Sequence, residues 1–195
     1  MKYTELDTPV LLIDREIMMD NLRFMQDYAD RQGVALRPHT KTHKMPALAK
    51  IQEELGAKGI TVAKVGEAEV MAENGLSDIF IANEIVGRRK LERIRELCRK
   101  GIKVSFAVDT PCQVEAVEEV FREEAAPAQV LIEIEVGEER SGIIHEEPFA
   151  ALLQTIGRCP HVHFKGIFSH EGHCYNAETT EDCHEKFLIS QERTL

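Results

Sequence analysis

The segment Arg37–Lys44 gathers two lysines and two histidines in a short stretch of the chain. It directly follows the apolar run Val34–Leu36, so these side chains are expected where a strand ends and a loop begins. In parallel α/β folds, the loops at this end of the sheet carry the chemistry. Nearby cationic groups disfavour the ammonium form of a lysine, and the free amine can attack a carbonyl to form a Schiff base. A basic surface loop that binds an anion is the alternative interpretation.

Strand geometry favours one of the two lysines. Pro38 has no N–H to donate to a ladder, so regular pairing is expected to stop at Arg37. Side chains two residues apart in an extended segment share a face, which places His39 and Lys41 together. Lys44 would point to the opposite face, and we therefore predict that Lys41 is the reactive lysine.

An acidic loop framed by two glycines, Glu133–Gly142, contains one arginine, Arg140. At the end of a predicted strand, its guanidinium could form a fork that binds a carboxylate or a phosphate. The alternative, which the loop taken alone favours, is a solvated turn in which Arg140 pairs with Glu138 or Glu139.

A third group of chemically active residues lies around the end of the last predicted strand. Zinc-binding residue types occur at His170, His173, Cys174, Cys183 and His184. Their spacing matches no zinc finger or ribbon, and the adjacency of His173 and Cys174 hinders both from reaching one ion. A histidine that lines a pocket fits better, because His170 stands where the strand leaves the sheet.

Apolar runs alternate along the chain with helical patterns. Strands are predicted at Val10–Ile13, Val34–Leu36, Gly59–Ala63, Asp78–Ala82, Lys103–Val108, Gln129–Val136 and His161–Phe168. Helices are predicted between Asp14 and Gly33, Pro46 and Gly56, Glu67 and Asn74, Leu91 and Cys98, after Thr110, between Phe149 and Ile156, and from Glu181 onward. This alternation indicates βαβ units and a parallel sheet.

The predicted fold class is α/β with a TIM-type (β/α)8 barrel. An open doubly wound sheet is the alternative, but no glycine-rich phosphate loop of the G-x-G-x-x-G or Walker type follows any strand. A complete barrel takes about 250 residues. About six βα units therefore indicate an incomplete barrel, which forms one domain over residues 1–195. Because the chain ends at Leu195 inside a helical pattern, we expect a truncated product or a fragment.

Composition limits the partners of the chain. A formal net charge of −10 argues against a nucleic-acid binder, which needs a basic face. No apolar run is long enough for a signal peptide or a membrane span. Five cysteines at irregular spacing are typical of free thiols in a reducing compartment. Together these features predict a soluble, cytoplasmic protein that binds neither nucleic acid nor membrane.

Several strand ends together resemble one enzyme family. Arg37–Lys44 closely resembles the cofactor-lysine motif of D-threonine aldolases and eukaryotic-type D-serine dehydratases, which are fold-type III pyridoxal-phosphate enzymes related to alanine racemase. Further similar segments follow the family order along nearly the whole chain: Thr8–Asp14, Val65–Ala72, Asn83–Gly87, Glu133–Gly142 and Ser169–Tyr175. The chain is therefore identified as an alanine racemase N-terminal-like barrel domain that binds pyridoxal phosphate.

The resemblance implies a role for each matching residue. Lys41 would bind pyridoxal 5′-phosphate through a Schiff base and act as a base at the substrate α-carbon, with His39 beside it. His170 would be the second catalytic residue and pack against the cofactor ring. Arg140 would lie near the bound substrate, and Tyr175 would lie at the mouth of the pocket.

The activity implied by the resemblance is that of a pyridoxal-phosphate-dependent lyase acting on D-β-hydroxy amino acids. It would be of the D-threonine aldolase or the D-serine dehydratase type, with a small D-amino acid as substrate. Three alternatives remain open: an amino-acid racemase, a non-catalytic carrier of pyridoxal phosphate, and an inactive fragment.

Members of the family are about twice as long and carry a C-terminal β domain, which is absent here. That domain supplies the ligands of a divalent metal, zinc or manganese, so no metal ligand is predicted in this chain. The residues that bind the phosphate and the pyridine nitrogen are also expected beyond residue 195. If the chain is complete, weak cofactor retention and little turnover are expected. Relatives complete their sites across a dimer interface, which suggests a homodimer.

Overall fold

The structure, a computed structural model, describes residues 2–195. Five parallel strands form one sheet in the order of the sequence. They are β1 (Ile60–Val62), β2 (Asp78–Glu84), β3 (Lys103–Val108), β4 (Ala128–Ile134) and β5 (Val162–Ser169). The predicted α/β class and the parallel sheet are confirmed. Within residues 2–195 the outer strands β1 and β5 do not pair with each other, and closure into a barrel stays a prediction.

Seven α-helices alternate with these strands in the described part of the chain. They are α1 (Arg15–Gln32), α2 (Pro46–Glu54), α3 (Val65–Glu73), α4 (Arg88–Arg99), α5 (Pro111–Phe121), α6 (Glu146–Gly157) and α7 (Thr180–Thr194). Short 3-10 turns occur at Tyr3–Glu5, Thr40–Thr42 and Gly172–Asn176. None of these helices is long and apolar enough to cross a membrane.

Local signals in the sequence explain where α1 begins and ends. The Asp14 side chain accepts hydrogen bonds from the backbone N–H groups of Glu16 and Ile17, which satisfies two donors that the first turn leaves free. Gly33 ends the helix in the left-handed conformation, with φ of 68°. Both boundaries were predicted, and both are confirmed.

One face of the sheet packs against the helices and forms the core. Alternate residues of neighbouring strands meet there in register, such as Ile81 with Phe106 and Phe106 with Val130. Helices α3 to α6 cover this row with buried apolar side chains. On α4 these side chains form a single helical stripe, made of Leu91, Ile94 and Leu97. Burying one such side chain stabilises the fold by about 2 kcal/mol.

The opposite face of the sheet carries smaller and more polar side chains. Thr61 and Ser105 are buried on this face, and the rings of Phe80 and Phe168 meet edge to face with centroids 5.0 Å apart. Polar groups are therefore concentrated on the side of the sheet from which the candidate site opens.

Two of the predicted strands are wrong. Val10–Ile13 pairs with no strand of the described chain and is exposed, with Leu11 at 96%. Val34–Leu36 is not a strand either, although the chain after it runs beside β1. The Leu36 carbonyl accepts from Lys58 N, and the Pro38 carbonyl accepts from Thr61 N, both at 2.8 Å. Because Pro38 cannot donate, these bonds do not extend into a continuous ladder.

The position at which pairing stops was also predicted wrongly. Contact with β1 continues past Arg37, since His39 forms an isolated parallel bridge with Thr61. The segment then turns into the 3-10 element Thr40–Thr42, so extended geometry ends two residues later than expected. The described sheet thus has five strands, fewer than the six βα units predicted.

Candidate active site

Four of the five predicted site residues line one cleft of about 520 Å³ at the carboxyl ends of the strands. They are His39, Lys41, Arg140 and His170. Tyr175 lines a neighbouring cleft, which shares Ser169 and His170 with the first. It is 82% exposed, and its ring centroid lies 6.1 Å from that of His170. The structure therefore brings Tyr175 to the edge of the candidate site.

A 3-10 turn anchored to β1 presents Lys41. The Thr40 side chain is buried, and its Oγ1 donates to the Thr61 carbonyl at 3.1 Å. The backbone N–H of Lys41 donates to His39 Nδ1 at 3.2 Å, which caps the turn. With Thr40 facing the protein, the Lys41 side chain is left exposed at the cleft.

The other lysine of the motif points elsewhere. Lys44 adopts a positive φ of 52°, and its Nζ lies 3.4 Å from Glu67 Oε1. The prediction that His39 and Lys41 share a face while Lys44 does not is confirmed. The cause is the turn after His39, and not the extended strand that the prediction assumed.

His39 stays neutral more readily than an exposed histidine. Burial lowers the pKa of its imidazole, and the positive charge of Lys41 lowers it further. Its Nδ1 accepts a hydrogen bond, so the proton of the neutral ring lies on Nε2. The Lys41 amine therefore lies in the same cleft as an imidazole that favours its uncharged form.

The loops after β4 and β5 meet through one carboxylate. Glu138 Oε2 lies 2.8 Å from His170 Nδ1 and 3.2 Å from Arg140 Nη1. Arg140 Nη2 also lies 3.6 Å from Glu133 Oε1. The pairing of Arg140 with Glu138, which was the alternative interpretation, is therefore present. Arg140 also lines the cleft, and binding of a carboxylate or phosphate by its guanidinium stays a prediction.

Two acidic residues of the cleft were not predicted as site residues. Burial, together with contact with the Glu133 carboxyl, raises the pKa of Glu84 to about 8. Glu133 is 4% exposed, and its carboxylate accepts a hydrogen bond from Ser141 Oγ at 2.9 Å. The shared proton therefore lies on Glu84, whose Oε1 is buried without a donor among the described residues.

A sequence signal for Glu133 was present, because it interrupts an otherwise apolar strand, Val130–Ile134. Glu84 gave a weaker signal. Strand alternation places Glu84 on the cleft face with Phe80 and Ala82, and the two extra residues at the register shift between Ile81 and Glu84 keep that alternation. Glu84 was missed because the strand was predicted to end at Ala82, whereas β2 continues to Glu84.

The sequence also matches a known protein family. Residues 13–192 match the family described as alanine racemase, N-terminal domain. The chain belongs to this family.

Curated relatives of the chain include enzymes of D-amino acids. This alanine racemase N-terminal domain is 39% identical to a D-threonine aldolase of an Arthrobacter species, over 90% of the chain and 46% of that protein. It is 36% identical to a D-threo-3-hydroxyaspartate dehydratase of a Delftia species, again over 90% of the chain and 46% of the relative. The chain spans about half the length of the curated relatives that it matches.

A solved structure supports the same relationship. The D-threonine aldolase of Filomicrobium marinum superimposes with a TM-score of 0.92 at 33% identity. The match covers 97% of this chain and 51% of that one. The order and direction of the strands described above are therefore those of about half of a D-threonine aldolase.

The groups present in the cleft fit pyridoxal 5′-phosphate, the cofactor that the family implies. An exposed lysine amine can bind its aldehyde, and a guanidinium and imidazoles can face its oxygens and ring. The cleft volume of about 520 Å³ lies in the range of sites for small molecules. A metal site is a different matter: within residues 2–195, no three histidine, cysteine, aspartate or glutamate side chains are grouped to hold an ion.

Proposed function

We propose that this chain carries the lysine-bearing part of a pyridoxal-phosphate-dependent lyase that acts on D-β-hydroxy amino acids. One observation supports this proposal most: Lys41, His39, Arg140 and His170 line a single cleft in a chain closely related to a D-threonine aldolase. Retro-aldol cleavage and dehydration both begin at the α-carbon and β-hydroxyl of such a substrate, so one site serves either reaction. The proposed architecture is a TIM-type (β/α)8 barrel, of which the five described strands would form a part.

Each residue has a proposed role. Lys41 would hold the cofactor through Nζ and would move the proton at the substrate α-carbon. His39, held neutral beside it, adds no second positive charge next to the lysine. When bound, pyridoxal phosphate supplies an electron-accepting ring and imine that delocalise the electrons of a bond broken at the α-carbon.

The opposite wall of the cleft would bind and orient the cofactor and the substrate. Arg140 pairs with Glu138 and Glu133, and the N–H groups of its guanidinium that these carboxylates do not engage would suit a substrate carboxylate or an anionic ring oxygen. His170 lies beside Arg140 through their common partner and would pack against the cofactor ring. Tyr175, exposed next to His170, would close the mouth of the cleft. We also propose that the substrate is a small D-amino acid and that the protein forms a homodimer.

The test begins with covalent labelling. The chain is incubated with pyridoxal phosphate, reduced with borohydride and mapped by peptide mass spectrometry. We expect the label on Lys41 and its loss in Lys41→Ala. Because Lys41 is exposed, this substitution should not disturb folding. Lys44→Ala is the matched control and should retain the label; a label on Lys44 in the unaltered chain would contradict the assignment.

Activity then separates the alternatives. Release of glycine from D-threonine or of pyruvate from D-serine, measured with and without divalent metal, would support the lyase. Exchange of the α-proton with loss of stereochemistry, without either product, would indicate a racemase. Binding to Lys41 without any turnover would favour a carrier of the cofactor.

A further inference from the structure

One carboxylate joins two residues that come from different loops of the cleft. Glu138 Oε2 contacts His170 Nδ1 at 2.8 Å and Arg140 Nη1 at 3.2 Å. The side chains of Glu138 and His170 are 29% and 24% exposed, so solvent screens their contact only in part. The loop after β4 and the loop after β5 are thereby connected at the wall of the candidate site.

Two glycines allow this contact. Gly137 has a φ of 138°, which few other residues adopt, and it turns the chain just before Glu138. Gly172, in the loop after β5, lies against the same carboxylate, and a Cβ atom at position 172 would overlap the Glu138 side chain. The carboxylate therefore occupies a space that the backbone of the second loop leaves open.

The contact has a chemical consequence for the imidazole. A carboxylate can only accept a hydrogen bond, so the proton of neutral His170 is held on Nδ1. The lone pair then lies on Nε2, the ring nitrogen that Glu138 does not engage. The same carboxylate limits rotation of the Arg140 guanidinium, since one of its terminal nitrogens is bound at a defined place.

We propose that Glu138 is a positioning residue that sets the tautomer of His170 and holds Arg140 beside it. Its meaning for catalysis rests on the proposed function, but the tautomer is a property of this chain without any ligand. Glu138 thus connects His170 and Arg140, two side chains that would face the cofactor, and it need not touch the cofactor itself.

The tautomer is measured by NMR. Chains labelled with ¹⁵N-histidine are examined without cofactor at a pH where the imidazole is neutral, and His170→Gln identifies the signals of His170. The long-range ¹H–¹⁵N correlation pattern should show the proton on Nδ1. In Glu138→Gln the amide can donate as well as accept, so the pattern should shift toward a proton on Nε2. Glu138→Asp keeps the carboxylate and should restore the Nδ1 form at least in part.

Two controls make the result specific. Glu139→Gln alters the neighbouring exposed carboxylate and should leave the His170 signals unchanged. Far-UV circular dichroism of each variant shows that the chain is folded, and Glu138→Ala, which also removes the carboxylate, serves if Glu138→Gln is not. A proton on Nε2 in the unaltered chain, or the same pattern in folded Glu138→Gln, would overturn the proposal.

Cofactor binding supplies a second, separate measurement. Loss of one charge-assisted contact should weaken binding of pyridoxal phosphate in Glu138→Gln by about tenfold. If no variant binds the cofactor but the tautomer shifts, the proposed function fails and the role of Glu138 stands. If Lys41 is labelled equally in both chains and the tautomer is unchanged, the role of Glu138 fails and the proposed function stands.

Discussion

Replacing Glu84 with glutamine should change how the stability of the chain depends on pH. In the folded chain, burial and contact with Glu133 raise the pKa of Glu84 to about 8, from an ordinary value of 4.5. Between these two values the folded state binds more protons than the unfolded state, so the free energy of unfolding falls as pH rises. Glutamine imitates the protonated acid, and its amide can still donate to Glu133.

The difference between the two pKa values sets an upper limit on the effect. It corresponds to at most about 5 kcal/mol above pH 8. Because Glu84 is only partly buried, solvent screening reduces this figure, and we expect about 2 kcal/mol. Well below pH 4.5, where both the folded and the unfolded state bind this proton, the two chains should be about equally stable.

Urea denaturation at a series of pH values measures this effect. The free energy of unfolding of Glu84→Gln, minus that of the unaltered chain, should grow by about 2 kcal/mol between about pH 5 and about pH 8.5. Glu123→Gln, at an exposed carboxylate, is the control and should give a difference that does not vary with pH. A flat difference for Glu84→Gln would refute the assignment of the shared proton to the Glu84–Glu133 pair.

Two further predictions concern the turn that carries Lys41. Thr40→Val keeps the shape of a buried side chain but removes its hydrogen bond to the Thr61 carbonyl. It should therefore lower the free energy of unfolding by about 1–2 kcal/mol and reduce cofactor labelling of Lys41. Full labelling at unchanged stability would contradict the anchoring role of Thr40. His39 should titrate by NMR with a pKa below 6.5, and its burial should reduce stability as pH falls below 6.5, because the unfolded chain then binds the proton more readily. His39→Gln should lessen that loss, and a titration at or above 6.5 would argue against a buried, neutral ring.

The parts of the fold that depend on neighbouring residues along the chain were predictable. Asp14 caps α1 and Gly33 ends it because both effects act within one turn. A strand is different, since it exists only if another strand pairs with it. The apolar run Val10–Ile13 has the composition of a strand, but it has no such partner in the described chain.

The candidate site also contains features that depend on neighbouring residues and features that depend on distant ones. The position of Lys41 at the cleft could be predicted because it follows from the chain immediately around it. The role of Glu138 could not, since it depends on the approach of two loops that are far apart in sequence. Glu84 also escaped prediction, because the strand was predicted to end at Ala82, whereas β2 continues to Glu84.

The close approach of Gly172 to Glu138 matters for engineering of the cleft. Libraries that randomise position 172 alone should return glycine wherever the Glu138–His170 contact is required, because an added methyl group would displace the Glu138 carboxylate. Randomising positions 138 and 172 together removes this restriction and admits pairs such as aspartate with alanine. The two positions are therefore best treated as a single designable unit, and a search that varies them separately would miss the combinations that reshape this wall.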